Sequence, residues 1–190
     1  MERIGEVVGA DTRRFTVQCY RLYEAPPLGT LVRTGNPSVY AVVSEVSTES
    51  LDPGRPVIAR GEGAATEEDV YRDNPQLDKL LCTRFQGQTI GYTQDDGLLT
   101  GLPPLPPRIH SFVYPCTAEE VAALTQSLSF VPLLLNSGVP SSDEVIAACL
   151  RLASRQVADG QEFLVRAGKA LAVEMSGQLP RLNAILRRLS

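Results

Sequence analysis

From Arg3 to Val46 the chain alternates short apolar-rich runs with turns built on Gly and Pro. Several short strands at this spacing constrain the fold to a small barrel or sandwich. Ile4–Val8 forms a first strand, closed by the turn Gly9-Ala10-Asp11. Phe15–Leu22 alternates with period two: Phe15, Val17 and Cys19 share one face, Thr16, Gln18 and Tyr20 the other. The stiff loop Ala25-Pro26-Pro27-Leu28-Gly29 leads to a strand at Thr30–Thr34, and Gly35-Asn36-Pro37 turns the chain again. Val39–Val46 is apolar on both faces, as expected of a central barrel strand. Beyond the turn Asp52-Pro53-Gly54, Pro56–Arg60 is predicted as a weaker strand.

Residues 62–79 change character. Glu62, Glu67, Glu68, Asp69, Asp73 and Asp78 face only two bases, Arg72 and Lys79. Thr66 with Asp69 resembles a helix capping box, and Asn74-Pro75 sets a cap before a Pro that opens a second short helix through Leu81. This acidic helical insertion, about 62–83, is either a solvated flap or a contact surface for a basic partner. Strand resumes at Arg84–Tyr92, and Asp95-Asp96-Gly97 opens a loop. The loop culminates in a strap, about 102–108, where Pro103, Pro104, Pro106 and Pro107 impose a polyproline II course. Ile109–Tyr114 is the last strand, placing His110, Phe112 and Tyr114 on one side.

From Thr117 the period is helical. Thr117 with Glu120, and Ser141 with Glu144, make capping boxes, and Pro132 ends or kinks the first helix. Gly160 separates the second helix from Gln161–Met175. Leu182, Ile185, Leu186 and Leu189 form the stripe of the last one, with Arg181, Arg187 and Arg188 on its polar face. The fold class is therefore α+β: an N-terminal barrel over 1–115 carrying the insertion and the strap, then a helical region over 116–190.

Composition excludes disorder: 43% of residues are hydrophobic and 21% charged. Apolar stretches such as Phe130–Leu135 are far short of the ~20 residues of a membrane span. Met1-Glu2-Arg3 opens no apolar leader, so a cytoplasmic location is expected, without membrane partners. Cys19, Cys82, Cys116 and Cys149 never form a Cys-x-x-Cys pair, and His110 is the sole histidine, so neither a metal nor a disulfide is expected. The net charge of −4 gives no overall attraction to nucleic acid.

Chemistry is sparse in this sequence. Neither Gly-x-x-x-x-Gly-Lys-Ser/Thr nor Gly-x-Gly-x-x-Gly occurs, and no cofactor is implied. His110, the sole histidine, could in principle activate Cys116 six residues on, and Cys116 lies past Pro115, where its direction is unconstrained. Asp95 and Asp96, like Glu67-Glu68-Asp69, sit in polar contexts that would not raise a catalytic pKa. Arg13, Arg14, Arg187 and Arg188 are the candidate contacts to phosphate.

Arg3-Ile4-Gly5-Glu6-Val7-Val8-Gly9, Phe15-Thr16-Val17-Gln18, Pro27-Leu28-Gly29-Thr30-Leu31-Val32 and Val39-Tyr40-Ala41-Val42-Val43 together resemble the HAS barrel. That N-terminal β-barrel is shared by HerA-type DNA-translocating ATPases and rotary ATP synthase subunits. The resemblance covers Met1–Val46 well and Val57–Val113 loosely. It implies a barrel at one end of a ring that helps subunits assemble and, in the HerA branch, can meet a nuclease partner. The ATPase core expected after the barrel is replaced here by the helical region, so the resemblance carries over neither ATP hydrolysis nor any functional residue.

The expectation is a non-catalytic protein–protein assembly module, an adaptor for a larger complex such as a ring ATPase or DNA-processing machine, with homo-oligomerisation open. Its candidate surfaces are Glu67, Glu68, Asp69 and Asp73, the strap Pro103, Pro104, Pro106, Pro107 and Arg108, and the C-terminal helix. Nucleic-acid binding through the four arginines is the alternative. A Cys/His enzyme is the third.

Overall fold

The computed structural model describes residues 2–95 and 97–189. Six antiparallel strands close into a barrel: β1 (Gly5–Ala10), β2 (Arg14–Cys19), β3 (Leu31–Thr34), β4 (Val39–Ser50), β5 (Leu81–Gln94) and, after the short β6 (Gly97–Thr100), β7 (Phe112–Pro115). The order is β2-β1-β7-β3-β4-β5, closed by pairing β2 to β5 with Phe15 opposite Gly87 and Val17 opposite Phe85. Strand β6 adds only to the end of β5, with Gly91 opposite Thr100. It occupies part of the segment expected as loop.

The period-two reading of the first strands holds. Val7, Phe15, Val17, Cys19, Val32, Val39, Ala41, Val43, Phe85 and Val113 all point into the barrel and form its core. Strand β4 needs apolar residues on both faces because its outer face is covered too. Tyr40 and Val42, joined by Leu31 and Ile90, pack beneath the helices in a second core. Register shifts at Tyr40/Ala41 and Val43/Glu45 bend β4 between these duties. After Ser44 it emerges as the long β4–β5 hairpin, an arm whose residues Glu45, Val46, Thr48 and Glu49 are exposed.

The helical region comprises α3 (Ala118–Thr125), α4 (Val131–Leu135), α5 (Ser142–Ser154), α6 (Gly160–Glu174) and α7 (Leu179–Arg187). The last strand ends at Pro115 and α3 begins at Ala118. Helix α5 is the hub, burying Val145, Ile146, Cys149, Leu150 and Ala153. Gly29 seats it on the barrel. With φ at +85°, a Cβ there would lie 2.5 Å from Cys149 N and 2.6 Å from Ala148 C. A network at the start of α3 joins the same two layers. Thr117 and Glu120 make the expected capping box, and Glu120 Oε1 accepts from Tyr40 Oη at 3.4 Å. Arg33 Nε lies 3.0 Å from the same oxygen, off the axis of its N–H, so this contact is an ion pair rather than a hydrogen bond.

Four local expectations are corrected. Pro56–Arg60 forms no strand, because among the described residues no other segment pairs with it. The second short helix runs Leu77–Leu80 with Gln76, not Asn74, at its N-cap. Ser141 makes no side-chain cap because its backbone is not extended, and the Ser141–Glu144 box does not form. Pro132 stands in the first turn of its own helix α4, where its missing N–H leaves no bond unmade, instead of kinking α3.

Candidate protein-interaction surface

The arm carries an excursion, residues 51–80, that departs from the hairpin end and returns to it. Its ends are clamped by Leu51 N–H donating to Leu80 O at 2.8 Å. Within it, α1 (Glu67–Asp73) is capped as expected: Thr66 Oγ1 accepts from Asp69 N and Asp69 Oδ2 accepts from Thr66 N. Helix α1 buries none of its side chains. It is tethered to the barrel by Tyr71, whose hydroxyl hydrogen-bonds that of Tyr23 and whose ring stands edge-on to the Tyr23 ring at 6.1 Å. That bond to Tyr23 is the chief cause holding the Tyr71 phenol up to about 12. Tyr23 in turn donates its backbone N–H to Thr83 Oγ1, which also bonds Thr48 Oγ1 across the arm at 2.9 Å.

The four acids expected to form one surface divide into two pairs. Asp69 is consumed by the cap and by Arg72 at 2.5 Å, and Asp73 also pairs with Arg72, at 3.2 Å. Glu67 and Glu68 remain exposed on the first turn. In the strap, Pro103 and Pro107 are buried while Pro104, Leu105, Pro106 and Arg108 are exposed. It is a band pinned at two points, bordering a cleft of about 290 Å³ with Tyr92 and Pro37.

The excursion holds a site that the sequence reading missed. A groove of about 420 Å³ lies between residues 51–60 and α2 (Leu77–Leu80), lined by Leu51, Pro56, Val57, Ile58, Leu77 and Leu80. Val57 and Ile58 are each 62% exposed and Leu51 43%. Arg55, Arg60 and Lys79 rim it. A larger groove of about 550 Å³ lies between Arg3, Tyr20, Arg21 and Glu24. Its charges are largely satisfied internally, since Arg21 contacts Glu24 at 3.1 Å and Glu2 at 3.4 Å.

The four arginines lie on two separate elements of the chain, the β1–β2 turn and the end of α7. Arg13 and Arg14 sit on the β1–β2 turn, where Asp11 Oδ1 accepts from both backbone N–H groups and Asp11 Oδ2 lies 3.8 Å from Arg14 Nε. Arg188, at the C-terminal end of α7, pairs with Glu144 at 2.6 Å. Arg187 is exposed on the same turn.

His110 and Cys116 do not form a dyad. His110 has φ +67° and lies before β7 rather than within it, exposed, with Nδ1 2.8 Å from Glu6 Oε2. Cys116 lies beyond the other end of β7, roughly 13 Å on at the rise of a strand. Its N–H donates to Leu31 O, and burial, reinforced by Glu120, pushes its thiol far above the ordinary value. The four cysteines are free thiols, burial raising Cys19 to about 11 and Cys149 to about 12. Among the described residues no His/Cys/Asp/Glu group could hold a metal, and no helix is long and apolar enough to cross a membrane.

Comparison with protein-family models and with curated proteins finds no match to this chain.

Proposed function

We propose that this chain is a non-catalytic assembly module whose barrel and helices form a rigid base for a protein-binding excursion. The observation that carries the reading is the solvation of that excursion. Residues 51–80 bury only Leu77, yet they hold Leu51, Val57, Ile58 and Tyr71 at the surface. Covering Val57 and Ile58 would stabilise a complex by about 1–2 kcal/mol each from water exclusion. Folding of the chain itself leaves that gain unused. An ordered segment built this way suits a partner's surface better than it suits the chain's own core.

We read the barrel as HAS-type, and the residues that carry the resemblance hold structural posts. A Cβ at Gly5 would meet Gln18 O on β2, Gly29 seats α5, and Val39, Ala41 and Val43 fill the barrel. On this reading the module is an adaptor for a larger complex, a ring ATPase or DNA-processing machine being the class the resemblance implies. Nucleic-acid binding would draw on arginines of which Arg14 and Arg188 already face acids, which favours the assembly role.

The test is an affinity pull-down of the tagged chain from lysate of its own source, with and without nuclease. A variant whose residues 52–79 are replaced by a tight turn is run alongside. A stoichiometric protein that survives nuclease and is lost from the variant supports the module. Capture that vanishes with nuclease, or that the variant retains, sinks it.

A further inference from the structure

The groove beside Val57 and Ile58 has three properties that together define an occupant. Its floor is apolar, supplied by Leu77, which is buried, and by Leu51 and Leu80. Its rim is cationic. Arg55 is partly offset by Asp52 at 3.9 Å, and among the described residues Arg60 donates only to the neutral Asn74 Oδ1 at 3.3 Å and Lys79 has no acidic partner. Three cations and one anion leave a net charge of +2 on the lining. Asp78 is next to Lys79 in the chain but does not line the groove.

The third property is the backbone. Pro56–Arg60 has the β-prone core Val57-Ile58, which is why the sequence predicts a strand there. The segment nevertheless lies in no helix or strand, and none of its backbone N–H or C=O groups bonds to another backbone group among the described residues. A β-prone segment with a free backbone edge is a template for strand addition. Elsewhere the barrel leaves few such edges, because β2 and β5 close it. No lysine or acidic residue within 56–60 blocks pairing, and Pro56 at the first position removes only one donor.

We infer that this groove receives an extended, acidic segment of another protein, paired along Val57–Arg60, with apolar side chains seated on Leu51, Leu77 and Leu80 and acids facing Lys79 and Arg60. The inference deepens the assembly reading and rests on it. It also reverses the polarity expected from sequence. The acids of α1 suggest a basic partner, whereas the apolar groove that would anchor a partner is itself cationic.

The probe is a displayed library of random twelve-residue peptides, selected on the intact chain at moderate salt. Enriched peptides are then measured against three variants. Ile58→Asp places a charge at a position 62% exposed, so it keeps the fold, which a thermal melt verifies. Lys79→Glu inverts the rim, and Glu67→Lys with Glu68→Lys inverts the neighbouring helix. The expected result is enrichment of sequences combining two or more acids with alternating apolar residues. Their affinity should fall about tenfold or more in Ile58→Asp, about threefold or more in Lys79→Glu, and change little in the α1 double variant. Amide exchange at residues 57–60 should slow when such a peptide binds, which contact through side chains alone would not produce.

Enrichment of basic or neutral peptides, binding indifferent to Ile58→Asp, or no enrichment overturns the inference. So does concentration-dependent self-association that Ile58→Asp abolishes, since the groove would then hold a second copy. If the library fails while the pull-down still depends on the excursion, this inference alone is lost. If neither depends on the excursion, the assembly reading goes with it.

Discussion

Replacing Gly29 by alanine tests whether the helices are seated on the barrel by direct backbone contact. The added Cβ would stand 2.5 Å from Cys149 N, 2.6 Å from Ala148 C and 2.6 Å from Ala148 Cβ. Two of these neighbours are main-chain atoms of α5, which cannot rotate aside as a long side chain could. The φ of +85° adds left-handed strain of about 1–2 kcal/mol for a residue with a Cβ. Overpacking a close-packed site costs about 1–3 kcal/mol more. The sum, about 2–5 kcal/mol, is a large part of the roughly 5–15 kcal/mol that holds a domain together. Gly138→Ala is the matched control. Its φ is +76° but nothing lies within 4 Å of the new Cβ, so it carries the strain without the collision. Urea unfolding followed by far-ultraviolet circular dichroism should show a lower midpoint at unchanged slope for both, with Gly29→Ala clearly the worse. A Gly29→Ala loss no greater than that of Gly138→Ala would refute the close seating of α5.

Other consequences are as direct. Thr66→Ala removes the α1 cap, worth about 0.5–2 kcal/mol to that helix. Amide exchange should quicken over residues 67–73 with the global melting temperature unmoved, because α1 buries nothing. Glu120→Ala strips Arg33 of its ion pair and Tyr40 of its acceptor, and should lower stability by about 1–3 kcal/mol in urea, whereas Glu119→Ala should not. The buried thiols make stability fall in alkali. Cys19 and Cys149 keep their protons in the folded chain to about 11 and about 12, while unfolded thiols release them near 9.0. The folded state therefore holds more protons above pH 9, and the urea midpoint should decline from there as pH rises. Cys149→Ala should flatten that decline, and an unchanged slope would contradict the assignment.

Much of the architecture was legible because barrel strands obey a rule the sequence displays. Phe15, Val17 and Cys19 alternate because one face fills the barrel. Val39–Val46 breaks the alternation because helices cover its second face, a fact the apolar run anticipates without naming the cover. Capping boxes were readable at Thr66 and Thr117, where the cap residue is extended, and misread at Ser141, where the backbone turns to φ −95° and ψ 19°. Strand β6 was hidden by the glycines at its ends, and α4 by a proline that starts a helix as readily as it stops one. Asp96, read from the sequence within the loop-opening Asp95-Asp96-Gly97, lies outside the described residues. The site was the least legible part. Val57 and Ile58 read as a strand because propensity is local, while pairing requires a second segment that no described residues supply. The acids of α1 read as one patch, yet Asp69 and Asp73 pair with Arg72 of the same helix, leaving Glu67 and Glu68 exposed on its first turn.

The binding role of the excursion is tested most directly by the affinity between this chain and the partner recovered by pull-down, measured by titration calorimetry with purified components. The comparison is the wild-type chain against Val57→Asp with Ile58→Asp, both confirmed folded by their melting curves. Because the pair sits where a partner would exclude water, the double variant should bind about a hundredfold more weakly or worse. Equal affinity would show that the partner docks elsewhere and that the exposed apolar excursion is not the binding surface.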